Sequence, residues 1–597
     1  MKIVCLVKQV PRGDAIRFDE ETKSLVREGV PLELNAFDGY AVAQAVRLRE
    51  EEGGEVVAMT MGPPQAEEAL RVALALGADR CIHLSDRVFA VADTLGTSRT
   101  LALALRKEGA DLVLCGRKTL DSETWQVPPE VAAFLGLPHL INACAFEAFS
   151  SGLHVRTLGD TGESLSEIGL PALCSVALPP KGTNVDVEPV SDADGKIAVW
   201  TAADLVSDVR PNDKRFGQTG SPTRVLAVRD VSPERGQELF EDPTEAAQRA
   251  RELLAERPAT DSSWEKPERL GEKPGHSYDC WSVVELVEGR IARISLELLG
   301  KSRELAGKLG GRAVGLVLGH GLDEAAREAV RYGAEEVVVV DDERLREFQP
   351  ELWADALRQV LERERPHALL IPATSRGRDY GPRAAGELEL GMTGDCVDLG
   401  IDRAGRLIQH KPAYGGNIVS VIMGATTPQL ATVRPRMFEP LEPSDSAEGE
   451  IRSFALDGAR EVRSRLVEHD AGERAFELDE ADTVLAVGAG VGAEGVEEIR
   501  RLAGELGAAV GGDRKASDAG LVPRSHQLGL LGRAVAPRLY VAVETEGDFE
   551  HSVASVKAAV IVVFKSSTAP VTGAADVAVA GDWRETLPAF IRAFSSA

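Results

Sequence analysis

The stretch Asp111-Leu112-Val113-Leu114-Cys115-Gly116-Arg117, which leads through a loop into Val127-Pro128-Pro129-Glu130-Val131-Ala132-Ala133-Phe134-Leu135-Gly136-Leu137, decides the fold. Its first half is a short continuous apolar run, as expected of a strand buried on both faces, and its second half follows a helical pattern. The arrangement recurs. Ala368-Leu369-Leu370-Ile371-Pro372-Ala373-Thr374 leads to Tyr380-Gly381-Pro382-Arg383-Ala384-Ala385-Gly386-Glu387-Leu388-Glu389-Leu390. The turns Gly77-Ala78-Asp79 and Gly333-Ala334-Glu335 precede the two copies. Two homologous α/β domains are therefore expected, one in the first third of the chain and one in the middle.

Working outward, similar runs occur at Lys2–Val10, Glu55–Met61, Arg312–Leu318, Glu336–Val340, Thr483–Val487, Leu539–Val543 and Ala558–Phe564. Each is followed by a helical pattern, which means parallel sheets covered on both faces. The predicted class is α/β, with three doubly wound, mostly parallel domains. The expected divisions are 1–205, a linker or arm at 206–275 with one helix at Pro243–Glu256, then 276–445 and 446–597. Strand-to-helix turns carrying Gly, Pro, Ser and Thr are where such folds bind ligands.

A length of 597 residues exceeds what one compact core supports. With 44% hydrophobic and 27% charged residues, the composition is that of an ordinary globular chain. Lys+Arg 68 against Asp+Glu 95 leaves a formal charge of −27, which argues against nucleic acid and anionic membrane surfaces as partners. No apolar stretch approaches the ~20 residues of a membrane span, so direct membrane insertion is not expected. The run at Met1–Lys8 is too short for a secretory segment, and the expected location is cytoplasmic. Seven cysteines never pair as C-x-x-C, and ten histidines show no ligand spacing, so no metal is expected. No G-x-S-x-G elbow or P-loop occurs, and no side chain is assigned as a catalyst.

Ordered motifs along the chain resemble the electron transfer flavoprotein family, with beta-type and alpha-type subunits fused. Residues 1–205 are similar to the beta subunit through Leu6-Val7-Lys8-Gln9-Val10, Asn35-Ala36-Phe37-Asp38 and Cys115-Gly116-Arg117 with Asp121, Thr124 and Gln126. The middle domain resembles the alpha subunit through Ala373-Thr374-Ser375-Arg376-Gly377-Arg378-Asp379 and Ala431-Thr432-Val433-Arg434-Pro435. Residues from Ala481 onward resemble its FAD domain through Leu506-Gly507-Ala508-Ala509-Val510-Gly511.

The resemblance implies an electron carrier, with a protein redox partner that is a dehydrogenase or a membrane-associated oxidoreductase, and NADH as a further donor. Its N-terminal domain would hold FAD, or AMP as the alternative, through Asn35, Asp93, Thr94, Thr97, Ser98, Gly116, Asp121, Thr124, Gln126 and Val127. Hydroxyls and free N–H groups at a helix start suit a pyrophosphate. Read without the resemblance, Asp93-Thr94 is a helix N-cap and Asp121–Thr124 a turn. Pro128 removes one N–H donor from the loop.

In the C-terminal domain Arg514, Gly529, Gly547, His551, Lys565 and Asp582 match the family's flavin site. Around them Ala489, Asp513, Leu530, Leu531, Glu546, Asp548, Glu550 and Phe564 depart from it. The carboxylates would repel a pyrophosphate, and the leucines would remove polar contacts with the ring. The expectation is at most one FAD, held by the N-terminal domain. A family descendant without the shuttle flavin, acting as a nucleotide-stabilised scaffold, is the alternative. The segment Pro179–Pro189 is acidic and lacks the apolar anchor expected of a docking loop.

Overall fold

A computed structural model describes residues 1–12, 17–18, 25–26, 29–230, 235–257, 264–267, 278–413, 418–458, 460–471, 476–545, 547, 549–552, 554–555, 557–566 and 575–596. Three parallel-rich sheets organise the chain. The N-terminal sheet runs Ile197–Trp200, Arg80–Leu84, Glu55–Met61, Lys2–Leu6, Leu112–Gly116, Ala172–Val176 and His139–Phe149, all parallel. It continues antiparallel through Gly152–Gly159, Gly162–Gly169 and Ser464–Asp470.

The middle sheet runs Met392–Cys396, Gln429–Val433, Ala368–Pro372, Cys280–Val284, Ala313–Gly319, Glu336–Asp341 and Glu450–Ser453, parallel throughout. The third runs Glu238–Phe240, Val577–Ala580, Val560–Lys565, Leu539–Val543, Thr483–Val487 and Ala509–Gly512, again parallel. Strand interiors such as Leu112–Gly116 and Ala368–Pro372 are wholly buried, as continuous apolar runs require.

The two repeat helices, Val127–Leu135 and Gly377–Glu387, pack on each other. Gly386 permits this, because a Cβ there would lie 3.1 Å from the Ala133 Cβ and 3.2 Å from the Glu130 Cα. Pro128 and Pro129 sit in the first turn of their helix, where the missing N–H groups have no intrahelical partner to lose.

The segment read as a linker is woven into the domains. Thr223–Asp230 joins an antiparallel sheet with Ile418–Gly424, and Glu238–Phe240 edges the C-terminal sheet. The expected helix forms at Pro243–Glu256, capped by Asp242, and buries Ala246, Ala247, Ala250 and Leu253 in the C-terminal core. Likewise Glu450–Ser453 belongs to the middle sheet, and Ser464–Asp470 crosses to the N-terminal one. Strand pairing between residues this far apart has no local signature.

Candidate functional site

In each sheet the chain runs outward from one central strand and then returns to that strand's other side. The crevice at the carboxyl end of this switch is the fold's natural ligand position. It lies between Lys2–Leu6 and Leu112–Gly116 in the first domain, Cys280–Val284 and Ala368–Pro372 in the second, and Thr483–Val487 and Leu539–Val543 in the third.

At the first switch, Asn35 pins the following loop. Its amide donates to Lys118 O at 3.0 Å and its side-chain oxygen accepts from Leu120 N at 3.2 Å. Asp38 accepts from Lys8 N at 2.8 Å and Gly116 N at 2.9 Å, and burial pushes its carboxyl up to about 7. Gly116 is required, since a Cβ would sit 2.7 Å from the Phe37 Cβ and against the Asp38 carboxylate. Asp121 pairs with Lys8 at 2.6 Å.

Arg117 lies over the rings of Phe37 and Trp125, at 4.6 and 5.2 Å, and donates to Leu531 O at 2.8 Å. Among the described residues it has no carboxylate partner, and burial lowers its guanidinium to about 9. Three buried atoms of this loop are without hydrogen-bond partners: Arg117 Nε, Asp121 Oδ1 and Trp125 Nε1. Gln126 turns away and donates to Met392 O of the middle domain at 3.0 Å. The half-buried Thr124 presents its carbonyl to Gly394, where a Cβ would crowd it at 2.5 Å, and Val127 opens the repeat helix.

The Asp93–Ser98 turn does cap a helix, Thr94–Glu108. Asp93 accepts from Gly96 N at 2.9 Å, and also from the Thr223 N–H and hydroxyl at 2.8 and 2.7 Å. The hydroxyls expected to meet a pyrophosphate are already engaged. Thr94 Oγ1 donates to Glu130 at 3.1 Å and Ser98 Oγ donates to it at 2.8 Å. Glu130 is 1% exposed, and burial pushes its carboxyl up to about 8. An internal carboxyl group thus engages two of the hydroxyls foreseen for a phosphate, while Thr97 remains half-buried. Glu130 was inside the opening motif, and a single glutamate in the apolar run Val127–Leu137 was the signal available.

At the second switch an internal carboxylate again meets a helix start. Asp160, from an N-terminal-domain hairpin, accepts from Ser375 N before the helix Gly377–Glu387. Arg533 of the C-terminal domain pairs with Asp160 at 3.2 Å and with Asp479, so all three domains meet at one ion network.

The third switch gathers the matched residues along one sheet edge. Arg514 follows the strand Ala509–Gly512, Gly547 and His551 follow Leu539–Val543, Lys565 ends Val560–Lys565, and Asp582 follows Val577–Ala580. Gly529 lies in the loop whose Leu528 N donates to Gly512 O at 2.7 Å. Asp582 caps the helix Trp583–Ser595 by accepting from Arg584 N at 2.9 Å. His551 is buried with its Nε2 3.1 Å from Tyr540 OH. Arg514 is half-exposed, and its charge reaches Tyr40 of the N-terminal domain. Gly488 lines the crevice, where any Cβ would collide with the Glu544 carbonyl. Glu544 itself accepts from Ser566 N at 2.8 Å, and the sequence reading did not single it out.

Two of the three reasons for doubting this third site are corrected. Leu530 is 9% exposed because it packs into the N-terminal core with Phe37 and Tyr40, and Leu531 packs against the same cluster. They serve a domain contact. Phe564 is fully buried against Phe590 at 5.3 Å, because strand alternation turns it into the core rather than toward the crevice. Glu546 and Asp548 lie outside the described residues, as does the side chain of Glu550. Asp513 caps the short helix Arg514–Asp518 by accepting from Ala516 N at 2.7 Å.

Three doubly wound units with crevices at their switch points, two of them related by an internal repeat, define a nucleotide-binding type of assembly. Comparison with known proteins makes this specific. The electron transfer flavoprotein domain matches residues 22–205 and again 280–459, and the electron transfer flavoprotein FAD-binding domain matches residues 477–556. The chain belongs to the electron transfer flavoprotein family. It is 32% identical over 318 residues to electron transfer flavoprotein subunit alpha of Thermoanaerobacterium thermosaccharolyticum, covering 52% of this chain and 96% of that protein. It is 39% identical over 246 residues to subunit beta of the same organism, covering 40% of this chain and 92% of that one. An acryloyl-CoA reductase electron transfer subunit beta of Anaerotignum propionicum is 30% identical over 358 residues, 53% of this chain and 95% of that protein. The expected fusion of beta-type and alpha-type halves and the α/β class are borne out. Among the described residues no helix is long and apolar enough to cross a membrane.

Proposed function

We propose that this chain is a single-chain electron carrier holding one FAD at the third switch, between the ends of Thr483–Val487 and Leu539–Val543. FAD binding and electron transfer follow from the family; the position of the cofactor is our own reading. The observation that carries it is the engagement of Thr94 and Ser98 by Glu130, which leaves only Thr97 of the three hydroxyls at the N-terminal helix start for a pyrophosphate. The C-terminal crevice has the opposite character. Arg514, Lys565 and His551 gather at its strand ends, and Gly547 takes a positive φ of 67° that a side chain would strain.

Bound there, FAD supplies one- and two-electron chemistry. Arg514 offers a cation at the crevice rim, Lys565 a second at a strand end, and His551 an imidazole fixed by Tyr540. Positive and polar groups in a poorly solvated pocket favour added negative charge. Glu544 holds Ser566 N and opposes a pyrophosphate, which limits affinity. The electron donor and acceptor are read as a dehydrogenase or another oxidoreductase, in line with the acryloyl-CoA reductase subunit among the relatives.

A second reading concerns the first switch. Arg117 without a carboxylate and the orphaned atoms of Arg117, Asp121 and Trp125 favour a small adenine nucleotide such as AMP there. Flavin-to-protein ratio after denaturing release tests the main reading. One FAD per chain is expected, weakened in Arg514→Ala and kept in Thr97→Ala with Asp121→Ala. Two FADs, or flavin lost with the N-terminal pair, would overturn it; mass spectrometry of the native chain reads out AMP.

A further inference from the structure

The second switch opens on a cavity of about 420 Å³ between the middle domain and the antiparallel extension of the N-terminal sheet. That volume falls in the range of small-molecule sites, roughly 300–1,000 Å³. Two residues that line it carry buried polar atoms without a partner among the described residues: the Asn142 side-chain oxygen and the Trp353 indole N–H, in residues only 5% and 6% exposed. Orphaned groups this deeply buried are costly unless something pairs with them. Asn142 is also held at φ 60°, a left-handed conformation uncommon outside glycine.

The charge balance of the lining is equally specific. Among the described residues Arg376 forms no ion pair; its Nη1 reaches Leu286 O at 3.4 Å and its guanidinium lies 5.6 Å from the Phe348 ring centre. Four carboxylates line the cavity; Glu347 is exposed, and the other three are engaged. Asp160 is held by Ser375 N and Arg533, Asp379 by His139, and Glu285 accepts from Thr374 and Tyr380 at 2.7 and 3.1 Å. Burial pushes Glu285 up to about 7. Leu140, Ile141 and Val287 supply an apolar wall.

We propose that this cavity binds a small organic carboxylate with an apolar body and one hydroxyl or amine donor, its anion on Arg376 and its polar group meeting Asn142 and Trp353. An apolar wall with a few convergent polar groups is the usual composition of such a site. An arginine without a carboxylate partner suits a planar anion. No residue lining the cavity comes from the C-terminal sheet, so its ligand is an effector or second substrate rather than the flavin.

Calorimetric titration of the full chain with 3-phenyllactate tests this, beside 3-phenylpropionate, which lacks the donor, and 3-phenyl-1,2-propanediol, which lacks the anion. Phenyllactate should bind best, with each lost group weakening binding about tenfold. Arg376→Gln should lower phenyllactate affinity about tenfold or more, and Asn142→Leu should erase the preference over phenylpropionate. Arg376 is only half-buried, so its variant tests the idea even if Asn142→Leu does not fold. No binding of phenyllactate at millimolar concentration, or binding unchanged by Arg376→Gln, would overturn the proposal. So would AMP occupying the cavity in its place. Flavin content measured on the same samples should stay constant, which separates this result from failure of the flavin assignment.

Discussion

Replacing Glu130 by Gln should change how the chain's stability depends on pH, because this carboxyl is buried between the helices Val127–Leu135 and Thr94–Glu108. Burial raises it to about 8, whereas a glutamate in an unfolded chain titrates near 4.3. Across that window the folded chain holds a proton that the unfolded chain has released. The stability linked to Glu130 is therefore fully present below about pH 4.3, falls as pH rises, and is gone above about pH 8. The window spans roughly 3.5 pH units at about 1.4 kcal/mol each, or about 5 kcal/mol in all. Gln keeps an oxygen for the Thr94 and Ser98 hydroxyls but has no proton to lose. Urea unfolding from pH 5 to 8.5, followed by amide exchange in the helix Thr94–Glu108, should show wild type losing about 1.4 kcal/mol per pH unit relative to Glu130→Gln. Parallel curves would mean that Glu130 is hydrated and ionised, and the argument that it blocks the phosphate position would lose its basis.

Leu530→Ala with Leu531→Ala should weaken the contact between the C-terminal loop and the N-terminal core, each truncation costing about 2 kcal/mol or more. Amide exchange at Leu528–Arg533 and Phe37–Tyr40 should then accelerate together. Phe564→Ala should cost about 3–5 kcal/mol in the C-terminal domain and release flavin only as that domain melts, as calorimetry with a flavin signal would show. Arg117→Met removes a buried cation that lacks a carboxylate; the nucleotide-free chain should melt no lower, and any stabilisation by added AMP should disappear.

How far the sequence reaches is seen by comparing three of its readings. The strands at Glu55–Met61, Thr483–Val487 and Leu539–Val543 were legible to the residue, because continuous apolar runs bounded by turns encode a doubly buried strand locally. The repeat announced two homologous domains for the same reason. Asp93 was legible as a helix cap, since a cap depends only on its own first turn.

The candidate sites were legible only in part. Matching residues showed which loops line the crevices, and Asn35, Gly116 and Asp121 do meet at the first switch. What those loops can bind was decided elsewhere. Glu130 comes back to Thr94 and Ser98 from a helix 32 to 36 residues onward, Asp160 reaches Ser375 across 215 residues, and Arg533 reaches Asp160 across 373. Leu530 and Leu531 look like lost polar contacts until the fold carries them into another domain's core. Periodicity, caps and turns are local consequences of backbone geometry, so the sequence alone determined the α/β class and the buried strands. Which carboxyl faces which donor, and which leucine covers which crevice, depends on how separate sheets pack, and only the tertiary structure decided that.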